Sequence, residues 1–308
     1  MKRLFLFLIA VFAFPLIDRN PYHIDVLVTA GVFMLLALGL HVIVGYAGIL
    51  NLGYAALYAV GAYTYALANL HGGIPFWPGL VLSAVVSAVF GMLFAFPALR
   101  LTGDYLAIVT LGAGEIVRIT LNNLDPITGG PNGLLGIAHP ALWFPPVHFG
   151  VRSGPYYYLI FFLILIVAYA LKRLESSRLG RAWTALREDE LAASCMGVNL
   201  IWAKLLAFGI GGFIAGLAGC FFAAKQGTVS PDSFDFVVSV MVLAMVVLGG
   251  LGSIRGALAG AFLLSLLPEF LRGFEIYRML LFGFAMILMM LFRPEGIFGT
   301  ARKKLGKE

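Results

Sequence analysis

The chain is poor in charge: Asp, Glu, Lys and Arg make up 12% of its 308 residues, about half the share found in soluble domains. It has two cysteines, Cys195 and Cys220, too few and too isolated for a disulfide framework or a thiolate metal site. The five histidines are scattered, so neither a metal nor a cofactor is expected. No phosphate loop of the G-x-x-x-x-G-K-[ST] type occurs; the one Gly-Lys pair is Gly306-Lys307, followed by Glu308. Zincin, kinase and serine-hydrolase motifs are also missing. No catalytic residue is assigned, and the chain is not read as an enzyme. Its net charge of +6 does not point to nucleic acid, because the basic residues lie in short breaks between apolar runs and no nucleic-acid-binding signature accompanies them.

What the chain has in excess is apolar surface. It is 61% hydrophobic with a mean hydropathy of +0.97, more than a water-soluble fold can bury, so lipid must be part of its solvent. Ten apolar runs are able to cross or deeply enter a bilayer: 4–17, 26–44, 53–70, 79–99, 103–121, 155–171, 205–224, 237–251, 256–271 and 277–292. The fold class expected is an all-α integral membrane protein, one transmembrane domain over 1–308 with about ten spanning or re-entrant helices. Runs shorter than roughly 20 residues are tilted, broken or re-entrant, which is tolerated where the segment faces protein. The first run follows Lys2 and Arg3 in the manner of a signal peptide, with Val11-Phe12-Ala13 as a cleavage site, but Pro15 and Asp18 equally end a membrane helix. It is read as a retained helix.

Orientation follows from the basic residues. With an inner N-terminus and ten crossings, 15 of the 21 Lys and Arg fall on the cytoplasmic side, which puts both termini there. Two breaks exceed simple turns. The break at about 122–154, with Trp143 and several prolines, is nearly free of basic residues and is assigned outside. The break at 172–204 carries six Lys/Arg together with Glu175, Glu188, Asp189 and Glu190, and is assigned to the cytoplasm.

Four groups of residues draw functional attention. Most residues from Ala182 to Met196 are good helix formers, so a short helix is expected on the inner face. Gly45-x-x-Gly48-x-x-Asn51, followed by Gly53, has the composition of a broken helix that exposes backbone groups to a transport pathway; Gly249-x-x-Gly252-x-x-Arg255 is a weak internal echo of it. Glu115 and Arg118 stand one helical turn apart inside an apolar run, where ionisable groups are costly. Their readings are a mutual i,i+3 pair, contact with a zwitterionic substrate, or a proton relay. Gly212-x-x-x-Gly216 and Gly252-x-x-x-Gly256-x-x-x-Gly260 mark faces of close helix approach, either within the subunit or along a pathway or subunit seam.

These segments together resemble a known family. The run Gly45-Tyr-Ala-Gly-Ile-Leu-Asn-Leu-Gly-Tyr-Ala-Ala-Leu-Tyr-Ala-Val-Gly-Ala-Tyr63, the Thr-Gly-Gly-Pro-Asn-Gly run at 128–133, the Arg187-Glu188-Asp189-Glu190 loop, Val246-Val-Leu-Gly-Gly-Leu-Gly-Ser-Ile-Arg-Gly256 and the closing Leu291-Phe-Arg-Pro-Glu-Gly296 resemble the LivM-type branched-chain amino acid permeases. They come in family order over about residues 30 to 298. Within the loop, Glu190-x-Ala192-Ala193-x-x-x-Gly197 is similar to the EAA-type segment of ABC importer permeases. The resemblance implies a type II-like importer fold in a bacterial inner membrane, working by alternating access. It implies a LivH-type second permease, two cytoplasmic ATPases and a periplasmic amino-acid-binding protein as partners. It also implies that Arg187, Glu188, Asp189, Glu190, Ala192, Ala193 and Gly197 belong to a coupling helix seated on an ATPase; the rival reading of this segment is an interfacial helix on lipid headgroups. Two other functions stay open from the residues. One is a same-superfamily permease for urea, sugars or nucleosides. The other is a proton-coupled carrier using Glu115.

Overall fold

The computed structural model describes residues 20–99, 101, 103–142, 147–148 and 154–270, with Gly283, Ile287 and Gly296. The runs expected at 4–17 and, those isolated residues aside, at 277–292 lie outside the described residues, as do Leu291 to Glu295 of the closing motif. The other eight runs are helices: α1 (Pro21–Leu40), α2 (Tyr54–Gly72), α3 (Phe76–Phe94), α4 (Asp104–Asn123), α6 (Gly154–Glu175), α9 (Leu200–Gln226), α10 (Phe236–Gly249) and α11 (Ile254–Phe270). Between them stand a single turn, α5 (Asp125–Thr128), and two short helices of the charged break, α7 (Arg178–Glu188) and α8 (Glu190–Cys195). Among the described residues, five stretches are long and apolar enough to cross a membrane, namely 21–46, 76–94, 154–175, 200–226 and 231–249. The chain is a multi-pass membrane protein.

Local chemistry sets where the helices begin. Asn20 caps α1, its side chain accepting from Tyr22 N at 3.1 Å, with Pro21 at the first helical position. Asn199 caps α9 through Trp202 N, and Asp235 caps α10 through Val238 N, each at 3.1 Å. Each cap satisfies one of the amides that a helix leaves free at its start.

The 27-residue α9 is the hub. It packs along α3, α2 and α1, and its small residues decide how closely. A Cβ on Gly212 would lie 2.5 Å from Ser87 O, and one on Gly216 would lie 2.5 Å from Ser83 O, so both glycines meet the backbone of α3. Gly211 faces Ile43 on the other side, and Gly219 rests on the backbone of α2 at Tyr58 and Ala62. Such backbone-to-backbone approach is how membrane helices associate where no hydrophobic force drives them together. The α10–α11 hairpin uses the same device, with Gly249 against Gly256 and Gly260 against Met245 O. Gly252 differs from its expected place on that face: it precedes α11, in the turn, at φ +94°, where only glycine is unstrained.

Away from the hub the surface is apolar. Val81, Val85, Val89 and Leu93, spaced by four along α3, are exposed, as are Ile108, Ile116 and Ile119 on α4 and Phe162 and Ile166 on α6. Apolar faces of this extent suit lipid or neighbouring subunits and not water.

The two long breaks lie at opposite ends of α9. Residues after α5 fold over its C-terminal end: Leu134–Leu135 pairs antiparallel with Thr228–Val229, and the His139 ring and the Tyr156 hydroxyl both reach Ala224 O, at 2.8 and 3.1 Å. Helices α7 and α8 sit at the N-terminal end, where Trp183 Nε1 donates to Ala203 O at 2.8 Å.

Candidate functional site

The site begins where α1 loses its α-helical register. His41–Tyr46 forms a π turn, a local widening that is often found at functional positions. His41 is fully buried, its ring 4.8 Å edge-on from Tyr46, and neither ring nitrogen has a hydrogen-bond partner among the described residues. Gly45 lies directly against that ring, where any Cβ would strike Nδ1. The chain then leaves the helix for residues 47–53. Gly48 turns at φ +72°, a left-handed conformation that a side chain disfavours. Asn51, buried, substitutes for a helical neighbour by accepting from Gly53 N at 2.9 Å, and Thr110 Oγ1 takes Leu52 N at 3.1 Å. When α2 starts, its Tyr54 hydroxyl donates to Gly211 O at 2.9 Å. Gly211 is the twelfth of the 27 residues of α9, so α2 starts about half way along the hub.

A narrow cleft opens at this break, between Leu52, Gly53 and the first turn of α2, Leu111, Gly114 and Glu115 on α4, and Phe234, Asp235, Phe236 and Ser239 at the start of α10. Ser239 Oγ accepts from Ala55 N at 2.9 Å, which ties α10 to the uncapped start of α2. Glu115 and Arg118 are paired at 2.9 Å, each about a third exposed, and Arg118 Nη1 also lies 3.9 Å from Asp232. Of the residues singled out in the sequence, Gly53 and Glu115 therefore meet in one cleft. Gly45 and Gly48 stand apart from it, at the α7 side.

There the charged break is docked on the membrane part. Arg187 Nη1 donates to Gly45 O at 2.7 Å, and a Cβ on Gly48 would lie 2.7 Å from Arg187 Cγ. Trp183, 0% exposed, stacks parallel to Tyr46 with ring centroids 6.4 Å apart. The expected single helix over Ala182–Met196 is two: the chain turns extended at Asp189, whose side chain accepts from Ala192 N at 2.9 Å and starts α8. Helix propensity is overridden here because an aspartate offers the backbone a cap. Glu190 pairs with Lys204 Nζ at 2.6 Å, so its carboxylate is engaged within the chain instead of standing free for a partner. Ala193 is 3% exposed and faces inward, whereas Ala192 is exposed and Leu191 and Met196 are 78% and 85% exposed. Glu188 is exposed, and Gly197 follows α8 in the left-handed region at φ +82°.

Trp183, Lys204, Ser239 and His41 escaped the sequence reading. The one visible signal was Trp183, the lone aromatic in a stretch rich in charges and alanines.

Comparison with known proteins bears on this arrangement. A family model described as the permease component of the branched-chain amino acid transport system matches residues 22–290. The high-affinity branched-chain amino acid transport system permease protein LivM of Salmonella typhimurium is 44% identical, covering 99% of this chain and 76% of the relative. LivM of Escherichia coli is 43% identical with the same coverage. The LivH permease protein of the same transport system in Salmonella typhimurium is 26% identical, covering 87% of this chain and 91% of the relative. No solved structure matches.

Proposed function

The chain belongs to the branched-chain amino acid transport permease family, and from that premise we propose that it is one of two unlike membrane subunits of an ATP-driven importer of leucine, isoleucine and valine. The other membrane subunit is of the LivH kind, itself a relative of this chain. Two cytoplasmic ATPases and a periplasmic amino-acid-binding protein complete the assembly in a bacterial inner membrane. The family match weighs against the carrier reading, whose one candidate relay, Glu115, is paired with Arg118 through a single oxygen.

The observation that supports coupling is the docked pair α7–α8. Its inner side is fixed to the hub and to the helix break by Trp183, Arg187 and the Glu190–Lys204 pair. Its outer side presents Leu191, Ala192 and Met196 without cover. ATPases closing on that outer side would shift α7, and α7 would carry the Gly45 turn and the start of α9 with it. Access to the pathway changes as a result.

Leu191→Asp combined with Met196→Asp is the test. Each side chain removed from an apolar seat weakens docking by about 1.5–3 kcal/mol, so the ATPases should no longer co-purify while the subunit still inserts in the membrane. Full co-purification and full binding-protein-stimulated ATP hydrolysis would sink the assignment. Ala193→Arg is a poorer probe, since a buried Ala193 makes it disturb the seating of α8 itself.

Sidedness is tested with the natural thiols. Cys195 is exposed on α8 and Cys220 is buried in α9. In cells expressing the subunit alone, Cys195 should resist an impermeant thiol reagent until the membrane is opened. A cysteine at Asn132, in a Cys195→Ser background, should react at once. Reversed labelling would invert the orientation.

A further inference from the structure

We propose that the cleft at the helix break is an amino-acid subsite of the translocation pathway inside this subunit, in which Glu115 receives the ammonium group of the substrate. The proposal rests on the branched-chain amino acid reading above and adds where, on this chain, the substrate is held. The lining of the cleft marks the place. An aliphatic α-amino acid has a positive pole, a negative pole and a branched apolar group, and the cleft has a match for each.

Glu115 supplies the first. One of its oxygens is held by Arg118 Nε at 2.9 Å, and the other has no partner among the described residues. A carboxylate fixed on one oxygen and open on the other is oriented to accept from an ammonium. Apolar walls supply the third: Leu52, Leu111, Phe234 and Phe236 line the same narrow cleft. For the negative pole, the Ser239 hydroxyl, 1% exposed, lines the cleft beside the start of α2, while the Asp235 carboxylate on the same wall is engaged by its own helix, accepting from Val238 N at 3.1 Å. The Ser239 oxygen already accepts from Ala55 N, which leaves its proton for a substrate carboxylate. The α2 start adds a favourable field, since a helix N-terminus carries partial positive charge.

Position agrees with this chemistry. The cleft lies where α2 begins, about half way along α9, next to residues 47–53 where the chain is not helical. Irregular backbone at membrane depth is stable only where protein buries it or a cavity adjoins it. Substrates of transporters bind at such half-helix starts near the midplane. Arg118 lies one turn away, outside the lining, and keeps the carboxylate aimed.

The experiment uses the whole complex in liposomes with its binding protein, and reads leucine taken up per ATP hydrolysed. Glu115→Gln keeps the size of the side chain and removes its charge. It should lower that ratio at least tenfold while stimulated hydrolysis persists. Arg118→Gln breaks the same ion pair but leaves the carboxylate, and should lower the ratio less than threefold. An unchanged ratio in Glu115→Gln, or an equal loss in both variants, overturns the subsite and makes the pair a packing element. Should Glu115→Gln fail to assemble, Leu111→Cys in a Cys195→Ser background gives an independent reading. Its alkylation by a small thiol reagent should slow at least threefold during leucine transport, and an unaltered rate counts against the proposal. A wild-type complex that moves none of the three amino acids would fail the functional reading instead, so the two failures are distinct.

Discussion

Gly216→Leu is expected to abolish recovery of folded subunit from the membrane. Gly216 itself has backbone on both sides, and a side chain on it would point into α3. A Cβ would lie 2.5 Å from Ser83 O and 2.8 Å from Ala84 Cα of α3, and Gly61 of α2 approaches Gly216 so closely that its own Cβ would lie 2.5 Å from Gly216 Cα. Overpacking of a core typically costs about 1–3 kcal/mol when neighbouring side chains can rotate away. Here the nearest obstacles are main-chain atoms of α3, which cannot rotate away, so α3 must move off α9, and the cost lies at or beyond the top of that range. A domain of ordinary stability holds only about 5–15 kcal/mol. The check is the yield of monodisperse protein in detergent, with Gly112→Ala as the control. Nothing lies within 4 Å of a Cβ on Gly112, and alanine favours a helix over glycine by about 1 kcal/mol, so the control should hold or gain stability. Normal yield of Gly216→Leu would show that α9 does not pack on α3 as described.

Trp183→Ala is expected to free α7 from the bundle while the membrane helices stay packed. The indole is fully buried, stacked on Tyr46 and bonded to Ala203 O. Truncating such a side chain costs about 3–5 kcal/mol. That cost falls on the docking of α7, because α9 meets α2 and α3 through residues far from Trp183. In inside-out vesicles, trypsin should then cleave at Arg178, Arg181 and Arg187 roughly a hundredfold faster or more, a factor of ten for each 1.4 kcal/mol. Uptake should fall with it, because a loose α7 cannot move the Gly45 turn. Trp183→Phe, which retains most of the stacking area, should show a much smaller change. Equal proteolysis of wild type and Trp183→Ala would mean that the indole does not hold the loop.

Segments were legible in the sequence and contacts were not. Eight apolar runs coincide with helices to within a few residues, because in a membrane chain hydropathy alone marks where the chain enters lipid. Hydropathy is silent about faces. Along α3, Gly91 meets Phe208 O of the hub while Val85 is exposed, yet both belong to one continuously apolar run. Spaced glycines gave a partial signal for α9, where Gly212 and Gly216 lie against α3. The same spacing misled at Gly252, which is a turn residue. The π turn at His41–Tyr46 was invisible, since it differs from an α-helix in hydrogen-bond step and not in residue type. In the charged break, composition suggested one helix and a free acid. A capping aspartate divides that helix, and Lys204, the basic residue just before the next apolar run, takes Glu190. Pairings across sequence of this kind depend on tertiary position.

The grip on α9 at both ends has a mechanical consequence. A helix of 27 residues is a rod of about 40 Å at 1.5 Å per residue. One end is clasped by Trp183 and Glu190, and the other by His139, Tyr156 and the Lys225–Asp25 pair. Its glycine seams let it slide or tilt against α3 with little side-chain interlocking, but they leave it no room to bend away. Displacement at one clasp is then delivered to the other by leverage in a single rigid piece, without a chain of intermediate rearrangements. The two faces of the membrane would be kept in phase by the length of one helix.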